Sequence, residues 1–207
     1  MKNPINGKKG RKVPVVLTDE ERIAFLKVPS RRAPTGKRNL AMLYLMLDAG
    51  LRSCELVGKE RRNGHVDGGL RLSHVDLNTG QLRIEDSKGG SDRILWLNET
   101  ALDAVRMWRA IRPQAETDLV FTTLRGGKID NRYVRQFVDT YARRAGIQKK
   151  AHPHTLRHTF ATDYYRKTKD LRALQKILGH ASISTTEIYT HIVDEEVENS
   201  MRDFREG

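Results

Sequence analysis

The chain has 207 residues and a single cysteine, Cys54, so it is long enough to bury one substantial core and cannot form an intramolecular disulfide. Lysine and arginine number 38 against 26 aspartates and glutamates, a formal charge of +12 that suits a partner carrying many negative charges. The lone cysteine fits a reducing cytosol, and a cytoplasmic protein is expected.

Residues 1–12 are basic and glycine-bearing but lack the apolar stretch of a secretory signal, so they read as a flexible leader or linker. Thr18-Asp19-Glu20-Glu21 is a capping box that starts a helix running to about Val28, and residues 29–36 read as a loop. The apolar run Leu40-Ala41-Met42-Leu43-Tyr44-Leu45-Met46-Leu47 falls far short of the ~20 residues that span a bilayer. It is therefore predicted to be a buried core helix ending near Ala49-Gly50, with no membrane partner. Residues 58–69 form a charged, glycine-rich stretch that reads as an exposed loop. Residues 66–75, 81–85 and 93–97 are predicted strands, with turns at Asn78-Thr79-Gly80 and Ser87-Lys88-Gly89-Gly90-Ser91, giving a small antiparallel three-stranded sheet.

From Asn98 the pattern is helical. Leu102, Val105, Met107 and Trp108 mark one helix, and Val134, Phe137, Val138 and Tyr141 mark another. Pro153 suits the first turn of a further helix, on which His154 and Arg157 are three residues apart and share a face. Leu171, Leu174, Ile177 and Leu178 form the next helix, which Gly179 ends so that His180 is presented at its terminus. Tyr189 follows on a short helix after residues 182–186. Beyond it Val193, Val197, Met201 and Phe204 recur at spacings of four, four and three, an apolar stripe on a terminal helix. The fold class is α+β, mainly helical.

The stretch from His154-Thr155-Leu156-Arg157-His158 through Leu178-Gly179-His180 to Tyr189 concentrates the chemistry. A guanidinium presents a fixed fork of donors that matches phosphate oxygens, imidazoles can donate to the same oxygens, and a phenol can become covalently attached to its substrate. Arg52, just past a helix-ending glycine, adds a second guanidinium, with Glu55 three residues on to fix the neighbouring geometry. Alone, each residue has an ordinary structural role, Gly179 as a helix cap and Tyr189 as a packed ring. Together they suit attack on a phosphodiester.

These residues resemble the catalytic domain of the tyrosine recombinases, the phage and transposon integrases and Xer-type recombinases. Ala49-Gly50-Leu51-Arg52-Ser53-Cys54-Glu55-Leu56 looks like the family's first arginine box, Lys88 sits where its hairpin lysine is expected, and residues 152–191 follow its second box. The resemblance implies a site-specific recombinase or integrase with Arg52, Lys88, His154, Arg157, His180 and Tyr189 as catalytic residues and Glu55 in support. Arg52 and Arg157 would clamp the phosphate, and Lys88 would protonate the departing 5′ hydroxyl. His154 and His180 would bind the same oxygens or help take the proton of Tyr189, a division that stays open at this point.

The implied product is a 3′-phosphotyrosyl link that stores the bond energy, so neither nucleotide cofactor nor metal is expected. The sequence has no Gly-x-x-x-x-Gly-Lys-Ser/Thr loop, and His154 and His158 lack cysteine or carboxylate partners nearby for zinc. Partners implied are double-stranded DNA and other protomers assembling on it as dimer to tetramer, with the C-terminal stripe at the contact. Residues 13–207 would be the catalytic domain, without the family's N-terminal core-binding domain. A type IB topoisomerase-like relaxation activity and a DNA-binding regulatory relative are the alternatives. The second ought to have lost one of the six catalytic residues, and all six are present.

Overall fold

A computed structural model describes residues 14–60, 66–85 and 92–190. Within these residues the chain is mainly helical with short antiparallel pairs. The elements are α1 (Asp19–Lys27), α2 (Pro34–Asp48), α3 (Ser53–Val57), β1 (Lys59–Glu60), β2 (Val66–Asp67), a 3-10 turn (Leu72–His74), β3 (Gln81–Ile84) and β4 (Arg93–Trp96). They are followed by α4 (Glu99–Arg109), α5 (Asn131–Arg144), α6 (Pro153–Thr168), α7 (Leu171–Leu178) and a 3-10 turn (Ile183–Thr185). The leader at 1–12, the hairpin tip with Lys88, the centre of the 58–69 loop and the stripe of Val193, Val197, Met201 and Phe204 lie outside the described residues.

The capping box forms as read: Thr18 Oγ1 accepts from Glu21 N at 3.2 Å and Glu21 Oε2 accepts from Thr18 N at 2.8 Å. The loop expected at 29–36 is shorter, because α2 begins at Pro34 and Gly36 is buried inside it. Pro34 takes the first helical turn, where its missing N–H costs nothing, and a Cβ on Gly36 would lie 2.0 Å from the Ser30 carbonyl oxygen. Every residue of α2 from Gly36 to Leu47 except Lys37 is buried, because the helix runs through the middle of the molecule with α4 and α6 packed on it. Among the described residues no helix is long and apolar enough to cross a membrane.

Among the described residues the three-stranded sheet is not present. The described strands form two separate antiparallel pairs, β1 with β2 and β3 with β4, and the run at 66–75 is strand only at Val66–Asp67. Gly68 and Gly69 turn the backbone to φ +64° and +88°, a left-handed step that no pleated strand can follow, and Leu72–His74 then coils into a 3-10 turn. What survives of the third strand is two isolated bridges, Val75 to Leu82 of β3 and Arg71 to Leu119.

Two apolar clusters result. The larger surrounds α2 and includes Leu43, Leu51, Trp108, Phe121, Val134 and Leu156. The smaller joins Ala161 of α6 and Leu174 and Leu178 of α7 to Tyr189, and this second cluster sets the segment carrying Tyr189 against α6.

Candidate active site

Hydrogen bonds near the end of α2 bring distant parts of the sequence to one place. Gly50 ends α2 at φ +65°, where a Cβ would come within 2.5 Å of the Phe160 ring, and its carbonyl oxygen accepts a hydrogen bond from Arg157 Nη1 at 2.6 Å. Two residues on, Arg52 is the N-cap of α3, and Glu55 at the third helical position folds back so that Oε2 accepts from Arg52 N at 2.7 Å. The short helix thus aims the Glu55 carboxylate inward.

That carboxylate is the hub of the site. Its side chain is 9% exposed, yet Arg52 Nη1 lies 3.0 Å from Oε1, Arg93 Nη2 lies 3.0 Å from both oxygens, and Arg157 Nη1 lies 3.7 Å from Oε2. Three guanidiniums around one carboxylate leave an excess of two positive charges in a partly desolvated pocket. An anion entering there offsets part of that excess, and Arg52, 29% exposed in its side chain, is the guanidinium open to it.

Arg157 is 3% exposed and held on both arms, Nη1 to Gly50 O and Nη2 to Leu178 O at 2.6 Å. Burial first and then the Arg52 charge bring its pKa down to about 10, so it remains a cation at neutral pH. Its Nη2 also lies 3.2 Å from His180 Nε2. A guanidinium only donates, so Nε2 accepts and the ring hydrogen sits on Nδ1, donating to Thr186 Oγ1 at 3.0 Å. Burial, Arg157 and Arg52 hold the His180 pKa down at about 3, which keeps the ring neutral. In this arrangement Nε2 carries no hydrogen to offer a phosphate oxygen.

His154, on the first turn of α6, is exposed; partial burial and the neighbouring His152, Arg157 and Arg52 lower its pKa. The start of α6 is built by Pro153 and by His152, whose Nδ1 accepts from Thr155 N at 3.3 Å. Tyr189 is 2% exposed, in a helical segment at 188–190, and its hydroxyl lies 2.9 Å from His158 Nδ1. Burial raises its pKa, opposed by Arg157 and Arg52. The structure therefore gathers Arg52, Glu55, Arg157 and His180 directly and joins Tyr189 to them through α6. Lys88 lies outside the described residues, in the hairpin between Ile84 and Arg93, the last paired residues of β3 and β4.

Two participants escaped the sequence reading. Arg93 is 8% exposed, grips Glu55, and its Nε donates to Ile177 O at 2.7 Å, tying β4 to the end of α7 beside His180. The signal was available: Arg93 is in phase with Leu95 and Leu97, which are buried, while Ile94 and Trp96 point outward at 49% and 66% exposure. His158 was visible within the second box, but its contact with Tyr189 spans 31 residues and two turns.

Comparisons with known proteins identify the family. The model of the phage integrase family matches residues 15–196. The tyrosine recombinase XerC of Actinobacillus pleuropneumoniae serotype 7 (strain AP76) is 36% identical over 176 residues, 84% of this chain and 54% of that protein. Among solved structures, the XerA recombinase superposes with a TM-score of 0.78 at 31% identity, over 94% of this chain and 66% of that one. The XerH site-specific recombinase bound to a palindromic difH substrate, a post-cleavage complex, gives 0.78 at 28% identity, over 97% of this chain and 56% of that one. The chain thus spans a little over half the length of the XerC it matches.

Proposed function

The chain belongs to the phage integrase family, and from that premise we propose that it cleaves and rejoins double-stranded DNA at a specific site through a 3′-phosphotyrosyl intermediate, as a tyrosine recombinase does. The observation that carries this reading is the buried Glu55 carboxylate with Arg52, Arg93 and Arg157 around it, one helical residue from the histidine that touches Tyr189. Arg52 and Arg157 hold a phosphodiester and draw off the charge that its oxygens gain as a fifth oxygen approaches phosphorus, while Arg93 holds Glu55 in place.

Tyr189 Oη then gives up its hydrogen to a histidine of the site and forms a bond to phosphorus while the bond to the 5′ oxygen breaks. Lys88 supplies the proton that the departing 5′ oxygen takes up. Reversal by a 5′ hydroxyl of a partner duplex releases Tyr189 and reseals the strand, so the energy of the ester is conserved and no nucleotide or metal enters the balance. The enzyme works as protomers paired on DNA, two per site and four when two sites meet; the palindromic substrate of the XerH complex supports such two-fold pairing. Val197, Met201 and Phe204 of the C-terminal stripe are the residues we assign to contact between protomers.

The test is to incubate the chain with a pool of nicked duplexes of randomised sequence and recover protein–DNA complexes that survive denaturant. Sequencing the captured strands should return one preferred site with the wild type and none with Tyr189→Phe. Absence of any denaturant-resistant complex across the pool would refute the proposal.

A further inference from the structure

We propose that His158 is a positioning residue for the nucleophile: it receives the phenolic hydrogen of Tyr189 on Nδ1 and so sets the direction of the attacking oxygen, an inference that rests on reading Tyr189 as the nucleophile. The contact is direct, 2.9 Å from Nδ1 to the hydroxyl, with ring centroids 5.8 Å apart and planes inclined at 51°. The direction of the hydrogen bond follows from the surroundings. Tyr189 is 2% exposed and burial raises its pKa, so the phenol keeps its hydrogen at neutral pH, and a buried O–H needs an acceptor. Nδ1 is then unprotonated. The imidazole stays that way, because burial and the adjacent His154 and Arg157 charges press its pKa down to about 4.

Placement on α6 makes the contact useful. His158 directly follows Arg157, whose guanidinium is fixed to Gly50 O and Leu178 O, so a single peptide unit of a rigid helix separates the phosphate clamp from the partner of the phenol. Tyr189 itself reaches the site at the end of a long connection from α7. Without His158 the relation of oxygen to phosphate would depend on that connection and on the packing of the ring against Ala161, Leu174 and Leu178, neither of which fixes the direction of the hydroxyl.

The other histidines are not placed for this task. His180 is engaged on both nitrogens, by Arg157 and by Thr186. His154 stands one turn earlier and exposed, its ring centroid 6.5 Å from that of His158. Of the three, His158 alone is in contact with the phenol among the described residues.

The experiment measures single-turnover formation of the covalent complex on a nicked duplex, with duplex affinity and melting temperature recorded for every variant. His158→Asn places a side-chain oxygen near the position of Nδ1 and should keep the rate within about threefold of wild type. His158→Leu matches the volume without an acceptor and should slow the reaction by about 10- to 100-fold, the scale of a reacting group displaced by roughly an ångström, with affinity within twofold. His158→Gln, polar but with its acceptor one bond farther out, should remain slow, and it decides the matter if the leucine variant does not fold. Equal rates for the asparagine and glutamine variants, or a wild-type rate for leucine, would overturn the proposal. A covalent complex formed by Tyr189→Phe would instead overturn the assignment of the nucleophile, a separate failure.

Discussion

Glu55 carries more of the site than any arginine it holds. Taking its charge away leaves Arg93 and Arg157, 7% and 4% exposed in their side chains, facing each other across a neutral group. Breaking a buried ionic network by removing one partner costs about 3 kcal/mol or more, so Glu55→Gln should lower the urea midpoint clearly and slow covalent-complex formation as well. Arg93→Met should separate the two effects: it frees Glu55 and Ile177 O but leaves Arg52 and Arg157 in place, and we expect a loss of about tenfold or more in cleavage with nearly unchanged DNA affinity. Comparable losses of cleavage and affinity would make Arg93 a DNA contact instead. The histidines give a pH dependence of definite sign. His158 and His180 titrate near 4 and 3 in the folded chain against about 6.5 when unfolded, so below pH 6.5 the unfolded chain binds protons that the folded one refuses. Their contribution is complete above pH 6.5 and declines as pH falls towards 3. The melting temperature should drop between pH 7 and pH 5, and the drop should shrink in His180→Gln; an unchanged drop would assign it to other groups.

The elements that the sequence announced most plainly are those in which one local rule governs. The capping box at Thr18, the apolar run of α2 and the glycine end of α7 each depend on neighbours within a few residues, and each stands where expected. The errors arise where a distant contact overrides the local pattern. Pro34-Thr35-Gly36 carries two turn-forming residues, yet it is helix because Gly36 lets α2 pass against the Ser30 backbone. The run at 66–75 has strand-forming residues, but Gly68 and Gly69 coil it away and Gly69 packs under Leu119. The arginine clamp was legible because residue type and order announce it; Arg93 and His158 were less so, because their partners lie 38 and 31 residues away. Gly50 shows how an element boundary serves chemistry. Gly50→Ala forces a side chain into the left-handed region and against Phe160, and moves the carbonyl that holds Arg157. It should cost about 1–3 kcal/mol in stability and reduce cleavage beyond what the fraction folded explains. Cleavage that tracked only the folded fraction would show that the Gly50 carbonyl has no part in holding the clamp.

At the scale of the whole molecule, the formal charge of +12 and the excess guanidiniums at Glu55 point in one direction, towards an anionic polymer gripped largely by its phosphates. This chain should therefore bind duplex DNA weakly and with a steep salt dependence, its affinity falling by more than tenfold between 50 and 200 mM salt as released counterions lose their entropic advantage. Affinity that barely changed across that range would indicate recognition of base edges in place of backbone. The central claim, however, concerns a bond: that Tyr189 attacks phosphorus and remains on the 3′ side of the break. It is tested by offering the chain two copies of the captured duplex, one labelled at the 5′ end of the cleaved strand and one at its 3′ end, and resolving the products under denaturing conditions. The 5′ label should travel with the protein and with a peptide containing Tyr189, and the 3′ label should appear on a free fragment ending in a 5′ hydroxyl. The 3′ label travelling with the protein, or a labelled peptide lacking Tyr189, would contradict the account.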